Sequence, residues 1–296
     1  MIKPEPPLVR FHEDADLMRE AVNFTAAETG FVPRLIEKDY FCTVLLQHLA
    51  IAGYSLVFKG ETCLAKVHAG LYRLSEDLDY VISTPLTATR AERSRLVAGL
   101  KEVIAKIDRQ VSGFGVISRL TGANNSTQYK ALISYTSVLG LQDETIKIEI
   151  GLREPLLRPW IIGAAQTLLL DPLSGEPMVP ALGVPAISWT EAMAEKFRAA
   201  LSRREVAIRD FYDIDYAVRR LNFSPHDPEL VELVRRKLAV PGNEPADVSQ
   251  GRLSTLRLQL DSQLKPVLRA RDFGEFDLDR AFATVAEVAA AVGSLP

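Results

Sequence analysis

Residues 58–80, FKGETCLAKVHAGLYRLSEDLDY, constrain this chain more than any other stretch. An apolar run ends at Phe58, a Gly60-Glu61-Thr62 turn follows, and a short helical pattern leads to Ser75-Glu76-Asp77-Leu78-Asp79. If 77–82 is a strand, its period of two puts Asp77 and Asp79 on one face. Two carboxylates fixed in this way suit divalent cations engaged in phosphoryl chemistry. A glycine turn ahead of a helix N-terminus offers backbone N–H groups and the positive end of the helix dipole to a triphosphate. The order of residues therefore sets a phosphate cradle about one helix away from a metal site. The plainer alternative is a surface strand that shows acidic residues to water. Asp-x-Asp alone is a common pattern, and the functional reading rests on its combination with Gly60, Thr62 and the intervening helix.

Further residues extend the pattern. Glu37-Lys38-Asp39-Tyr40 stands upstream; Glu195-Lys196, Arg203 and Arg209-Asp210-Phe211-Tyr212-Asp213 follow downstream. A glycine turn and helix ahead of an Asp-x-Asp strand resembles the nucleotidyltransferase superfamily. The full order is similar to the AbiEii/AbiGii toxin family, the nucleotidyltransferase-like toxins of type IV toxin–antitoxin systems, which include the MenT toxins. The resemblance runs from about residue 36 to 218. It implies an α+β fold, with a nucleotidyltransferase core built on a mixed sheet and followed by a helical C-terminal half. It also implies transfer of a nucleoside monophosphate from an NTP, a toxin role, tRNA as an acceptor for some members, and a cognate antitoxin. Glu61 departs from the family, whose members mostly carry a second glycine there. A side chain at that place narrows the room for backbone to approach phosphate.

Composition sets broad limits. In 296 residues, 47% are hydrophobic and 25% charged, ordinary values for a globular protein with a sizeable core. A net charge of −3 advertises no overall basic field for nucleic acid, although a local basic face can hide beneath it. The two cysteines, Cys42 and Cys63, form no CxxC and read as buried thiols. Four histidines show neither zinc spacing nor a cluster for nucleophilic catalysis. The N-terminus lacks an apolar signal-peptide core and no long apolar run occurs, so a cytoplasmic protein without membrane association is expected.

Along the chain, residues 1–10 are proline-rich and read as an extended arm. Helices are expected over 13–28 and from Pro33 to about 52, and a long amphipathic helix over 87–111 with Thr87 or Thr89 as its cap. Strand patterns fall at 54–58, 77–82, 114–120, 128–137 and 145–150, with a turn at Gly122-Ala123-Asn124-Asn125. Six prolines between 152 and 188 suggest irregular chain. Thr190 is a candidate cap for the next helix, and helical patterns follow near 190–203, 208–221, 227–239, 246–271 and 277–292. The expected organisation is an α/β domain with N-terminal helices over 1–155, an irregular connection over 156–188, and a helical domain over 189–296 that completes the active site.

The remaining candidates carry two readings each. Ile146-Lys147-Ile148-Glu149-Ile150 alternates cleanly, which puts Lys147 and Glu149 on one face and the isoleucines in the core. Glu149 is either a third carboxylate, completing the metal site or acting as general base, or part of a solvated Lys/Glu face. Lys147 reads as a neighbour on that face. Lys196 and Arg203 lie seven residues apart, on one face of a helix, and are candidates for the nucleotide's phosphates; solvated helix residues are the alternative. Arg209 and Asp213 could form a helical i,i+4 pair, whereas Asp210 and Asp213 could orient Lys196 or Arg203 or touch the nucleotide. Asp39 could pair with an arginine of the later motif. Ser75 either binds phosphate or shapes the turn. Arginines and lysines scattered over 196–271 could grip RNA or face solvent.

The catalytic candidates are thus Asp77, Asp79, Glu149, Lys196, Asp210 and Asp213; the nucleotide candidates are Gly60, Thr62, Ser75, Lys196 and Arg203. Asp77 and Asp79 would hold Mg²⁺, with room for a two-metal arrangement. The expected activity is Mg²⁺-dependent nucleotidyl transfer from an NTP to an acceptor hydroxyl, on tRNA by family resemblance. Two other readings keep the fold: a transferase acting on a small molecule or protein, and a non-catalytic nucleotide- or RNA-binding module, which Glu61 favours.

Overall fold

A computed structural model describes residues 9–140 and 142–294; residues 1–8 of the expected arm lie outside the described residues. The chain forms two compact units, Met1–Leu156 with Trp160–Ile187, and Leu157–Pro159 with Ser188–Pro296.

The first unit is built on a seven-stranded sheet in the order β3-β4-β5-β2-β1-β7-β6, where β1 is Val57–Lys59, β2 Leu78–Val81, β3 Phe114–Ala123, β4 Gln128–Tyr135, β5 Glu144–Gly151, β6 Ile161–Ala165 and β7 Leu182–Ala186. β2 runs parallel to β5 and β1 parallel to β7, while the other neighbours are antiparallel, so the sheet is mixed as expected. The segment expected as an irregular connection is corrected here. Its prolines punctuate the chain, yet they leave two short runs, Ile161–Ala165 and Leu182–Ala186, that pair with each other and dock on β1. Pro185 sits in β7 opposite Ile162.

Two helices precede the sheet. α1 (Ala15–Thr29) starts at Asp14, whose side chain accepts from Leu17 N–H, and stops at Gly30 with φ +78°. α2 (Pro33–Ile51) opens on proline and is buried almost throughout, polar residues included. Each of those polar groups is met by a distant segment. Glu37 accepts from Val138 N–H at 2.7 Å and from the Ser137 hydroxyl at 2.9 Å. Lys38 lies 2.8 Å from Glu76. Asp39 pairs with Lys66 at 2.6 Å, both side chains essentially without solvent access, and also accepts from Leu168 N–H at 3.1 Å. The partner of Asp39 is therefore this lysine, not an arginine of the later motif. Cys42 and Cys63 are buried free thiols, and burial pushes the Cys42 thiol up to about 12.

The long helix expected over 87–111 is three short ones: α4 (Arg90–Leu96), α5 (Ala98–Ile104) and α6 (Ile107–Gln110). Val97 and Lys106 leave helical dihedrals, in a stretch where Gly99 and β-branched Val97, Val103 and Ile104 hold a helix weakly. Thr89 caps α4 in a reciprocal capping box with Glu92.

The second unit is helical: α7 (Trp189–Ser202), α8 (Ile208–Arg220), α9 (Pro228–Leu238), α10 (Gln250–Gln259), α11 (Ala270–Glu275) and α12 (Leu278–Gly293). Ser188, rather than Thr190, caps α7 and accepts from Glu191 N–H. Beyond α10 the chain narrows through single turns around Pro266, which cannot donate a helical hydrogen bond, before α11 begins. Buried Glu191 accepts from the N–H groups of Leu157 and Arg158 at 2.9 and 2.8 Å and pairs with buried Lys237 at 2.8 Å. These bonds fasten 157–159 to the helical unit. Among the described residues, no helix is long and apolar enough to cross a membrane.

The Asp39–Lys66 pair gives a test. Removing one partner leaves the other charge buried, which costs about 3–5 kcal/mol, whereas an apolar pair of similar volume restores much of the loss. Asp39→Ala should lower unfolding stability in denaturant titrations by about that amount. The double variant Asp39→Leu/Lys66→Met should recover most of it. Equal stability of wild type and Asp39→Ala would contradict this account.

Candidate active site

The acidic candidates of the first unit come together on one face of the sheet. Asp79 of β2 stands in register with Glu149 of β5 on one side and Lys59 of β1 on the other, and Glu149 stands in register with Lys130 of β4. One cross-strand row therefore reads Lys130, Glu149, Asp79, Lys59. Asp77, two residues before Asp79, shares this face from just ahead of β2. The opposite face carries Leu78, Tyr80, Ile146, Ile148 and Ile150, all buried. The alternation in β5 thus sorts its isoleucines into the core and leaves Lys147 and Glu149 on the face with the aspartates.

Each carboxylate has a distinct surrounding. Asp77 pairs with the Lys147 ammonium at 2.9 Å and also accepts from Lys147 N–H at 3.3 Å. Glu149 accepts from the Gln128 amide at 2.5 Å, with Lys130 at 3.6 Å and Lys147 at 4.0 Å. Asp79 keeps some access to solvent but, among the described residues, has no ion-pair partner. Desolvation is the main reason its carboxyl is pushed up to about 7, and the nearby Glu149 carboxylate adds to the shift. Burial works to lower the Lys147 ammonium, but its bond to Asp77 outweighs this and raises it.

The turn that precedes the site is shaped by contact with Asp79. Gly60 has φ +75°, and a Cβ at this position would stand 2.5 Å from Asp79 Oδ2 and 2.9 Å from Asp79 Cβ. Only glycine combines that dihedral with that approach. The short helix α3 (Gly60–Cys63) begins here and continues through one wider turn at Leu64–His68. Thr62 is buried and its hydroxyl donates to the backbone carbonyl of Asp77, which makes it a positioning group for the acidic pair. Glu61, the departure from the glycine pair, forms an ion pair at 3.0 Å with the fully buried guanidinium of Arg73. Ser75 is buried two residues ahead of Asp77.

The second unit holds the remaining candidates. Lys196 on α7 lies 2.8 Å from Asp210 and 2.7 Å from Asp213, both on α8, and all three side chains are nearly or wholly buried. Arg203, half-exposed at the end of α7, reaches Asp210 at 3.4 Å. The two aspartates thus hold Lys196, one of the roles considered from sequence. The ammonium is gripped on two sides rather than offered freely on a helix face.

Sequence reading understated the lysines. Lys59 and Lys130 gave no local signal, because only strand pairing puts them in the row with Asp79 and Glu149. Lys147 was visible on the right face, but its bond to Asp77 depends on the β2–β5 register.

Comparison with known proteins identifies the family. The profile of the AbiEii nucleotidyl transferase toxin family, type IV toxin–antitoxin system, matches residues 44–288. The chain belongs to this family; it is a nucleotidyltransferase of the toxin–antitoxin class, with an NTP substrate and a cognate antitoxin implied. Among solved structures, MenT4, a nucleotidyltransferase toxin from Mycobacterium tuberculosis, is similar with a TM-score of 0.50 and 20% identity, over 97% of this chain and 91% of that one. JHP933 from Helicobacter pylori gives a TM-score of 0.47 and 16% identity, over 92% of this chain and 91% of that one. No curated protein matches the sequence.

The raised Asp79 carboxyl sets the sign of a pH effect. The folded protein holds this proton more tightly than the unfolded chain, whose carboxyl titrates near 3.8. Without metal, the group therefore costs stability as pH rises from about 4 through about 7. In metal-free buffer, Asp79→Asn should raise the melting temperature at pH 8 by roughly 2–5 °C, with the gain shrinking toward pH 4. A gain that does not depend on pH would refute the assignment.

Proposed function

We propose that the protein is a Mg²⁺-dependent transferase that moves a nucleoside monophosphate from an NTP to an acceptor hydroxyl of tRNA. One observation carries this reading: the Gly60 backbone lies against the Asp79 carboxylate, with Asp77 beside it and Glu149 in register. A turn suited to phosphate and three carboxyl groups thus lie on one face of the sheet.

The donor set fits a hard divalent ion. Asp79 has no cation of its own among the described residues, and the neighbouring carboxylates can add oxygen ligands. Asp77 and Asp79 would hold Mg²⁺, which when bound polarises the phosphoryl oxygens and neutralises charge that builds on them. The N–H groups at Gly60 and Glu61 orient the triphosphate. Thr62 fixes the Asp77 backbone and so the angle of the acidic pair. Glu149 accepts the proton of the acceptor hydroxyl, and its bond from Gln128 holds the carboxylate in place for this. Within the helical unit, Asp210 and Asp213 fix Lys196 and offset its charge, and Arg203 beside them is the more exposed cation. Glu61 does not count against turnover, because its carboxylate is engaged with Arg73.

The tRNA acceptor rests on family membership and is the part that experiment must decide. Purified protein incubated with total tRNA, Mg²⁺ and each α-³²P-labelled NTP in turn should label RNA with at least one nucleotide. Asp77→Ala should abolish the label. Gly60→Ala, which drives a methyl into Asp79, should lose activity while its circular dichroism stays like that of the wild type. Label appearing on protein or small molecules but not on RNA would redirect the acceptor; no label anywhere from folded protein would leave a nucleotide-binding module.

A further inference from the structure

The acidic face is balanced by lysines of the same sheet. Asp77, Asp79 and Glu149 put three carboxyl groups on this face, and Lys59, Lys130 and Lys147 put three ammonium groups on it. The lysines are not interchangeable. Lys130 is half-exposed and meets Glu149 at 3.6 Å. Lys147 reaches both outer carboxylates, Asp77 at 2.9 Å and Glu149 at 4.0 Å, and its own backbone N–H also binds Asp77. Its ammonium thus occupies a place among the carboxylates where a cation is wanted. Its side chain is 39% exposed, so it has room to leave.

We propose that Lys147 is the built-in counter-cation of this site: it holds Asp77 in the metal-free protein, so that a divalent ion binds well only when it arrives with nucleotide. The triphosphate brings the negative charge that the face lacks. It supplies oxygen ligands to the ion and a new partner for the Lys147 ammonium, which frees Asp77. A site with three carboxylates and no internal cation would take up the free ion on its own; this one resists it by like-charge repulsion from Lys147. The consequence is that metal and nucleotide enter together, and each raises the affinity of the other, as linkage requires. This inference rests on the reading of Asp77 and Asp79 as the metal-holding pair.

The test measures Mn²⁺ binding directly, by electron paramagnetic resonance of the free ion, with and without a non-hydrolysable NTP analogue. Lys147→Met and Lys147→Gln, both checked for folding by thermal melts, should bind Mn²⁺ alone about tenfold more tightly than wild type, the effect of removing one positive charge at this range in a partly solvated site. Lys147→Arg should behave as wild type. Adding the analogue should tighten Mn²⁺ strongly in wild type and narrow the gap to the neutral variants. If wild type binds Mn²⁺ with the analogue but the neutral variants bind the free ion no more tightly than wild type, this inference falls and the metal reading stands. If no protein binds Mn²⁺ in either condition, the metal reading falls and this inference with it.

Discussion

The buried polar side of α2 is the constraint on which the first unit depends. Three consecutive residues, Glu37, Lys38 and Asp39, point in different directions and bind three different segments. Lys38 holds Glu76, the residue immediately before Asp77. Asp39 holds Lys66, on the helical segment that begins at Gly60. The Gly60 turn and the acidic strand are therefore both anchored to one helix. Charges buried this deeply are tolerated only when paired, so the pairs also fix which segments lie where. Arg34 widens the anchor by bridging Glu76 at 2.9 Å and Glu144, the first residue of β5, at 2.6 Å.

On the open face the same logic is inverted. Among the described residues Asp79 has no ion-pair partner, and burial pushes its carboxyl up to about 7, while Asp77 and Glu149 are answered by lysines and an amide. Strand register and the Thr62 bond to the Asp77 carbonyl hold this face in place. The helical unit shows a comparable device in Lys196, clamped by Asp210 and Asp213 on the neighbouring helix.

Much of this was legible along the chain wherever the signal was local. The alternation of 146–150, the glycine turn at 60, the acidic pair and the helices at 190–203, 208–221, 227–239 and 277–292 followed from periodicity and turn chemistry, whereas the helix expected over 246–271 breaks around Pro266 into α10 and α11. Misreadings arose where several local signals competed. Prolines hid β6 and β7, because short strands between turns look like irregular chain. The amphipathic stripe of 87–111 continued through two breaks, since periodicity does not register a change of dihedral at Val97 or Lys106. At the start of α7 two hydroxyl residues competed for the cap, and Ser188 took it.

The sequence by itself determined the class of chemistry: residue types and spacing over 58–80 define a turn, a helix and an acidic strand whose period sets both aspartates on one face. Tertiary structure decided the partners. Asp39 meets Lys66 across 27 residues, Asp77 meets Lys147 across 70, and Glu149 meets Gln128 across 21. Such pairings depend on strand order and register, which emerge only when the whole sheet buries its apolar face, and no local pattern encodes them.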